Sequence, residues 1–340
     1  GGGMTALANG EPAAATLPWF VDGFGLSAEQ RSRITVQREW RSPALPISIS
    51  LLLPTRLRPD LWRKFLDSVA ATARNPDRIE VVLYTDEDDP SAAGISSPQL
   101  NLTRLRGPRM PMSQLNSACA ECSSGQLLML TNDDVIVETP DWDQAIEDLR
   151  AQHQDDIFLA WPRDGVMNER LATFPILSRR TCSLLCEPYG SGYRRLFIDA
   201  HVMDVFARLR ALGLNRMHFL GDIVFRHYHA SPPAGRRTDL SDDLEFLRQR
   251  GLRQWQALTL NAAMRGQDRP ANCPLPEEIQ APESLWQALR LFTSTLLLDS
   301  DLPWWSRLTC WLRYSGHYLV TRGAVATWLA RCTGPAGAGG

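Results

Sequence analysis

The run Leu127-Leu-Met-Leu-Thr-Asn-Asp-Asp-Val135 delivers two adjacent carboxylates, Asp133 and Asp134, to the carboxyl end of an apolar strand. Carboxylate oxygens suit a hard divalent cation, Mg2+ or Mn2+, and such ions keep positions open for substrate phosphates. The chemistry of this tip therefore points to a diphosphate-bearing ligand. A turn in which Asn132 to Asp134 merely cap the next element is the competing explanation. Downstream, Gly221-Asp-Ile-Val-Phe-Arg-His-Tyr-His229 sets His227 and His229 two residues apart. Extended geometry puts both on one face, and either imidazole can complete a metal shell begun by the acidic pair.

Several elements must position these groups. Ile47-Ser-Ile-Ser-Leu-Leu-Leu53 reads as a buried strand stopped by Pro54, followed by Thr55-Arg-Leu-Arg-Pro-Asp and a helical pattern through Leu61, Phe65, Leu66 and Val69. Ile79-Glu-Val-Val-Leu-Tyr84 is a second buried strand ending in Thr85-Asp-Glu-Asp-Asp-Pro90. A weaker strand near Leu100 to Leu105, a helix over Ser113 to Cys122 closed by Gly125, and the strand at Leu127 follow. Strands alternating with helices predict an α/β fold, a mostly parallel sheet with helices on both faces. In such sheets ligands bind at the carboxyl ends of the strands, so the loops at Pro54–Arg58, Thr85–Asp89 and Asn132–Asp134 should meet at one crevice.

Composition narrows the classes. The chain has 340 residues, is 44% hydrophobic and carries a formal net charge of -2, enough to bury a full core and without the basic block a nucleic-acid binder needs. Lys64 is the only lysine, a bias attributed to codon usage. Gly1 to Gly3 ahead of Met4 look like a cloning scar, no export signal is visible, and no apolar run approaches the roughly 20 residues needed to span a bilayer. Seven cysteines, an odd number, fit a reducing cytoplasm. Cys119-x-x-Cys122 and Cys182-x-x-x-Cys186 lie among apolar residues and read as buried thiols rather than a zinc site.

The order Ser-Ile-Ser-Leu-Leu-Leu-Pro-Thr-Arg56, Glu80-Val-Val-Leu-Tyr-Thr-Asp86, Asn116 in a helix and Asn132-Asp-Asp resembles a family 2 glycosyltransferase of the GT-A fold, over roughly residues 46 to 230. The resemblance implies a Rossmann-like GT-A sheet and an inverting, metal-dependent transfer of a sugar from a nucleotide-diphosphate donor, a UDP-sugar being favoured, to a hydroxyl acceptor. Its Asp-x-Asp element maps the metal onto Asp134 first and Asp133 second. Asn132 stands where the family usually has Asp and is assigned, with Asp133, to donor contact. Pro54, Thr55 and Arg56 fall in the loop that touches the nucleoside, and Asp86 at the acidic position that bonds the base, although Thr85-Asp-Glu-Asp replaces the usual Asp-Asp-Gly-Ser. Arg109, Ser113 and Asn116 align near the diphosphate. The segments Phe174–Arg180 and Gly192–Asp199 resemble the acceptor side, making Asp199 the candidate general base, with His201 and Asp204 as weaker choices. His227, with His229 second, takes the family's histidine position as metal ligand or phosphate contact.

The expected organisation is an N-terminal arm (1–45, with one helix-like piece near Ser27 to Trp40), a GT-A catalytic domain (46–235), a helical C-terminal extension (236–332) and a flexible tail (333–340). In the extension, Leu285, Trp286, Leu289, Phe292 and Leu296, then Trp304, Trp305, Leu308, Trp311 and Leu312, recur at helical spacing among arginines. These helices either touch a membrane peripherally through 283–332, at its cytoplasmic face, or pack against the catalytic domain or a partner. Polysaccharide or glycolipid assembly, with a glycan or glycolipid acceptor, is the role the resemblance makes common. The rival from another class is a non-catalytic GT-A-like module recruiting partners through its tryptophan-rich helices. A nucleotidyltransferase lacks support, since no glycine-rich loop with a basic residue follows the first strand.

Overall fold

A computed structural model describes residues 23–41, 45–228 and 242–321. The strands are β1 (Thr35–Glu39), β2 (Ile49–Pro54), β3 (Ile79–Asp86), β4 (Asn101–Gly107), β5 (Leu127–Leu130), β6 (Val135–Val137), β7 (Leu159–Arg163), β8 (Ile176–Ser178) and β9 (Met217–His227). The helices are α1 (Ala28–Ser32), α2 (Pro59–Thr72), α3 (Met112–Cys122), α4 (Trp142–Ala151), α5 (Arg179–Leu185) and α6 (Ile198–Ala211). Four more, α7 (Asp242–Arg248), α8 (Arg250–Arg265), α9 (Leu285–Phe292) and α10 (Trp304–Thr321), complete the C-terminal part.

The strands form one nine-stranded sheet in the order β1-β4-β3-β2-β5-β8-β7-β9-β6. Its centre, β4-β3-β2-β5, is parallel, and β7 runs parallel to β9. The β1–β4, β5–β8, β7–β8 and β6–β9 pairs are antiparallel, so the parallel character is concentrated at the centre. Every residue of β3 is buried, as a strand covered on both faces must be. Alternation divides the core: Leu51 and Leu53 face the layer containing Trp62, Phe65 and Val69 of α2, while Leu52 and Val82 face the layer built from α3, α5, α6 and α8.

Local chemistry fixes each crossover. α2 opens on Pro59 with Asp60 in its first turn, and buries Trp62, Phe65, Leu66 and Val69 at the spacing of one helical face. Its exit is held where the Asp143 carboxylate accepts from the backbone N–H groups of Arg74 and Asn75, each at 2.8 Å. Between α3 and β5, Gly125 lies so close to β2 that a Cβ would sit 2.6 Å from the Ser50 nitrogen, and only glycine fits. The buried Glu80 carboxylate accepts from Ser50, Thr103 and the Ser124 N–H, bonding three neighbouring segments around one acid.

The N-terminal arm departs from expectation. The helix ends at Ser32 after a Ser27–Gln30 capping box, and Thr35–Glu39 instead adds an antiparallel edge strand to β4. β-Branched Thr35 and Val36 and alternating half-exposure suit an edge strand. Cys119, Cys122 and Cys182 are buried within the core, while Cys186 is half-exposed.

The C-terminal helices share a core with α6 and the segment before it. Phe292, Leu296, Tyr314 and Tyr318 belong to the same apolar cluster as Phe197, Val205 and Phe206. Asp204 accepts from Arg208 (2.8 Å) and Arg253 (2.7 Å), and Asp299 from Arg208 (2.6 Å) and Arg250 (3.1 Å), linking α6, α8 and the loop before α10. Each acid keeps one arginine if the other is lost, whereas losing Asp204 strands the fully buried Arg253. Leu285, Trp286, Trp304, Trp305 and Leu312 face outward and remain exposed. No described helix is long and apolar enough to cross a membrane.

Candidate active site

The ends of β2, β5 and β9 meet. Thr55, directly after β2, donates its backbone N–H to the Tyr84 carbonyl and its hydroxyl to Asp133 Oδ2 at 2.7 Å. Asp133 Oδ1 accepts from the Arg58 guanidinium at 2.7 Å, and the same nitrogen lies 3.6 Å from Asp134 Oδ2. Burial pushes the Asp133 carboxyl above its ordinary pKa, opposed by the Thr55 and Arg58 bonds.

Asp134 faces the other way. β6 pairs with β9 so that Val135 stands opposite His227, and the Tyr228 N–H donates to the Asp134 carbonyl at 2.8 Å. This register brings Asp134 Oδ1 to 3.1 Å from His227 Nε2. Burial acts to raise the Asp134 pKa, but the bond to His227 and the charge of Arg58 outweigh it and hold it below the usual carboxylate value. The His227 ring meets Phe174 edge-on, with centroids 5.6 Å apart, and the His227 backbone N–H donates to the Asp164 carbonyl at 2.9 Å.

The first-strand loop is strained and braced. Leu57 adopts φ 53°, unusual for a bulky residue, and its N–H donates to the buried Asp89 carboxylate at 2.7 Å. Arg56 is drawn onto Asp86 and Asp88, at 2.5 Å from each, which fastens the β2 loop to the β3 loop. The bond to Arg56 lowers the Asp88 pKa, and burial opposes that fall without reversing it.

Asp199 lies in the first turn of α6, behind Phe197 at the cap position, and its Oδ1 accepts from the Ala200 N–H at 2.8 Å. Burial lifts its carboxyl from the ordinary 3.8 to about 6; Arg313 draws it down, and the nearby negative charge of Asp164 adds to the rise. Asp164 accepts three backbone N–H bonds from Val166, Met167 and Asn168, and a fourth bond from Thr173. Asp134 and His227 touch through their side chains, and His227 reaches the Asp164 carbonyl through its backbone; among the described residues no hydrogen bond or ion pair joins Asp199 to these groups. The two rival bases are committed elsewhere. His201 is fully buried between Tyr193 and Gln256, burial driving its pKa to about 3. Asp204, despite its burial, is held at about 2 by Arg208 and Arg253.

The remaining candidates are more dispersed. Pro54 is half-buried at the end of β2, Asn132 is exposed on the acidic turn, and Asn116 is buried on α3. The Ser113 hydroxyl donates within the fold, to the carbonyls of Tyr193 (2.6 Å) and Ser191 (3.2 Å). Arg109 is exposed on the loop before α3, close enough to Asp88 to influence it. His229 lies outside the described residues. Sequence reasoning missed Arg58, Asp88 and Asp164. The pattern Arg56-Leu-Arg58 opposite an acidic run was the available signal for the first two, and the Asp164-Gly165 turn for the third.

Asp134 and His227 are the side chains here whose chemistry could hold a divalent cation. Among the described residues no group of three His, Cys, Asp or Glu side chains gathers, but Mg2+ and Mn2+ need few protein ligands when substrate oxygens and water complete the shell. Asp134 Oδ1 and His227 Nε2 hydrogen-bond each other at 3.1 Å, and a cation held by both would replace that bond.

No family model matches the chain, and no curated protein matches it. Among solved structures it is similar to the mannosyltransferase PcManGT from Pyrobaculum calidifontis, in complex with GDP-Man and Mn2+, at 15% identity and TM-score 0.43, over 85% of this chain and 81% of that one. It is also similar to S. aureus TarS 1-349, at 11% identity and TM-score 0.46, over 83% of this chain and 92% of that one. The same TarS segment in complex with UDP-GlcNAc gives 12% identity and the same TM-score, 0.46, with equal coverage, 83% and 92%. At these identities and scores, none of them assigns a ligand or a reaction to this chain.

Proposed function

We propose that this chain is a glycosyltransferase that moves a sugar from a nucleotide-diphosphate donor, a UDP-sugar being favoured, to a hydroxyl acceptor with inversion at the anomeric carbon. The observation that carries the proposal is the contact of Asp134 with His227 beside the Thr55–Asp133–Arg58 cluster, at the carboxyl ends of β2 and β5 where α/β sheets bind ligands. Asp134 and His227 would hold Mn2+ or Mg2+, which when bound neutralises charge developing on the leaving diphosphate. Arg58 supplies positive charge at the same place, and Arg56 with Asp86 frames the nucleoside end. Asp199 accepts the proton of the acceptor hydroxyl as its oxygen bonds to the anomeric carbon and the donor C–O bond breaks. A carboxyl with a pKa of about 6 is ionised at neutral pH and basic enough to assist. Assembly of a polysaccharide or glycolipid in the cytoplasm, with Trp286, Trp304 and Trp305 against the membrane's cytoplasmic face, is the setting proposed.

Those exposed tryptophans also favour a second reading, a non-catalytic module that recruits a partner. Isothermal titration with a panel of nucleotide sugars, first with Mn2+ and then with chelator, separates the two. Metal-dependent binding of one donor supports the transferase; no binding of any donor overturns it.

A further inference from the structure

Between α10, α6 and the strands β7 and β9 lies a cavity of about 450 Å³, within the range of small-molecule sites. One end reaches Ala200, the residue after Asp199, and the lining follows α6 through Met203 and Ala207 to Arg210. Arg210 lies ten helical steps beyond Ala200, about 15 Å at the helical rise. Trp161 and Phe219, with ring centroids 5.9 Å apart, give it an aromatic wall, and exposed Trp305 stands at its edge.

Its charge is asymmetric. Arg170, Arg210 and Arg313 line it against Glu169, since the other acid in the lining, Asp204, is neutralised by Arg208 and Arg253. Arg313 lines the cavity together with Ala200 and donates to the Arg170 carbonyl at 3.2 Å. Arg210 marks the far end. Guanidinium groups spread along a partly aromatic trough suit a ligand with flat ring faces and oxyanions.

We infer that this cavity is the acceptor site, and that it takes an elongated acceptor bearing a phosphate or carboxylate group, its reacting hydroxyl at the Ala200 end and its anionic part along Arg170, Arg313 and Arg210. The inference rests on the transferase reading for the word acceptor, while the preference for an anion stands on the cavity alone.

Three matched probes test it on the full chain: phenyl glucoside, phenyl glucoside 6-phosphate and phenyl glucuronide. Titrated calorimetrically at low salt without donor, one or both anionic probes should bind about tenfold or more tightly than the neutral one, a difference of about 1.4 kcal/mol. Which of the two wins distinguishes phosphate from carboxylate. Arg210→Gln and Arg170→Gln, both at exposed positions, should each remove most of that preference while thermal unfolding stays unchanged. Equal affinity for all three probes, or a preference that survives in the double variant, overturns the inference. Anion binding in a chain that binds no nucleotide sugar keeps the anion site and removes the acceptor role. With a donor in hand, Arg210→Gln should raise KM for the anionic acceptor and leave kcat near its starting value; a fall in kcat alone would count against it.

Discussion

Asp134 Oδ1 and His227 Nε2 stand 3.1 Å apart although 93 residues separate them in sequence. The contact is set by the β6–β9 register, which opposes Val135 to His227. Slipping that pairing by one residue would turn His227 to the other face. If the pair holds a cation, His227→Ala should weaken Mn2+ binding by about tenfold or more, since even outer-shell partners are worth that much. Asp134→Ala should abolish it. Titration of Mn2+ followed by electron paramagnetic resonance reads both, and unchanged affinity in His227→Ala would remove this residue from the site.

Arg58 lets two neighbouring carboxylates coexist. It touches Asp133 at 2.7 Å and approaches Asp134 at 3.6 Å. Arg58→Ala leaves a buried carboxylate short of its positive partner, which should cost about 1–3 kcal/mol, less than a fully buried pair because Arg58 reaches solvent. A cation at Asp134 supplies the missing charge. Melting curves in chelator should therefore show a lower Tm for Arg58→Ala, recovered in part by Mn2+. A loss that Mn2+ leaves untouched would show that the cation does not bind beside these acids.

If Asp199 is the base of the proposed transfer, its carboxyl, raised to about 6, sets an acid limb for the rate. Only the ionised form accepts a proton, so at pH 5 roughly a tenth of the molecules would be competent. The rate should fall through pH 6 on acidification, and Asp199→Asn should cost about 10²–10⁴-fold while donor binding persists. Stability moves in the opposite sense. With the folded pKa above the ordinary 3.8, the fold prefers the protonated form; the penalty is absent below about pH 4 and complete above about pH 6. Asp199→Asn should therefore raise Tm at pH 8 and not at pH 4. Near-full transfer by Asp199→Asn would refute the base assignment.

How much was legible in the sequence depended on whether the information was local. β2, β3 and β5 are short apolar runs ended by proline or acids, and their parallel pairing and converging tips followed from alternation with helices. Asp133 and Asp134 were visible because strand and turn are contiguous. The edge strand β1 was not, since Thr35–Glu39 gains its partner only from β4, about 65 residues away. Arg58 was passed over because its meaning lies across the sheet, on Asp133. The bond from the Ser113 hydroxyl to Tyr193, 80 residues on, has no local sign in the sequence either.

The C-terminal helices offer a last test, of whether α10 is part of the fold or an appendage. Tyr314 packs against Phe246 and Phe197 with ring centroids 4.7 and 5.3 Å away, and is buried, whereas Trp286 is 79% exposed. Truncating a buried aromatic leaves a cavity and costs about 3–5 kcal/mol, while a surface change away from such packing stays within about 0.5 kcal/mol. Tyr314→Ala should lower Tm sharply and Trp286→Ala hardly at all. Deleting 283–340 would expose Phe197 and Phe246, so liposome co-sedimentation is better done with Trp286→Ala and Trp305→Ala, which keep the core. A Tyr314→Ala protein as stable as the parent would mean that α10 is not docked on α6 and α7, and the cavity beside α6 would lose its wall.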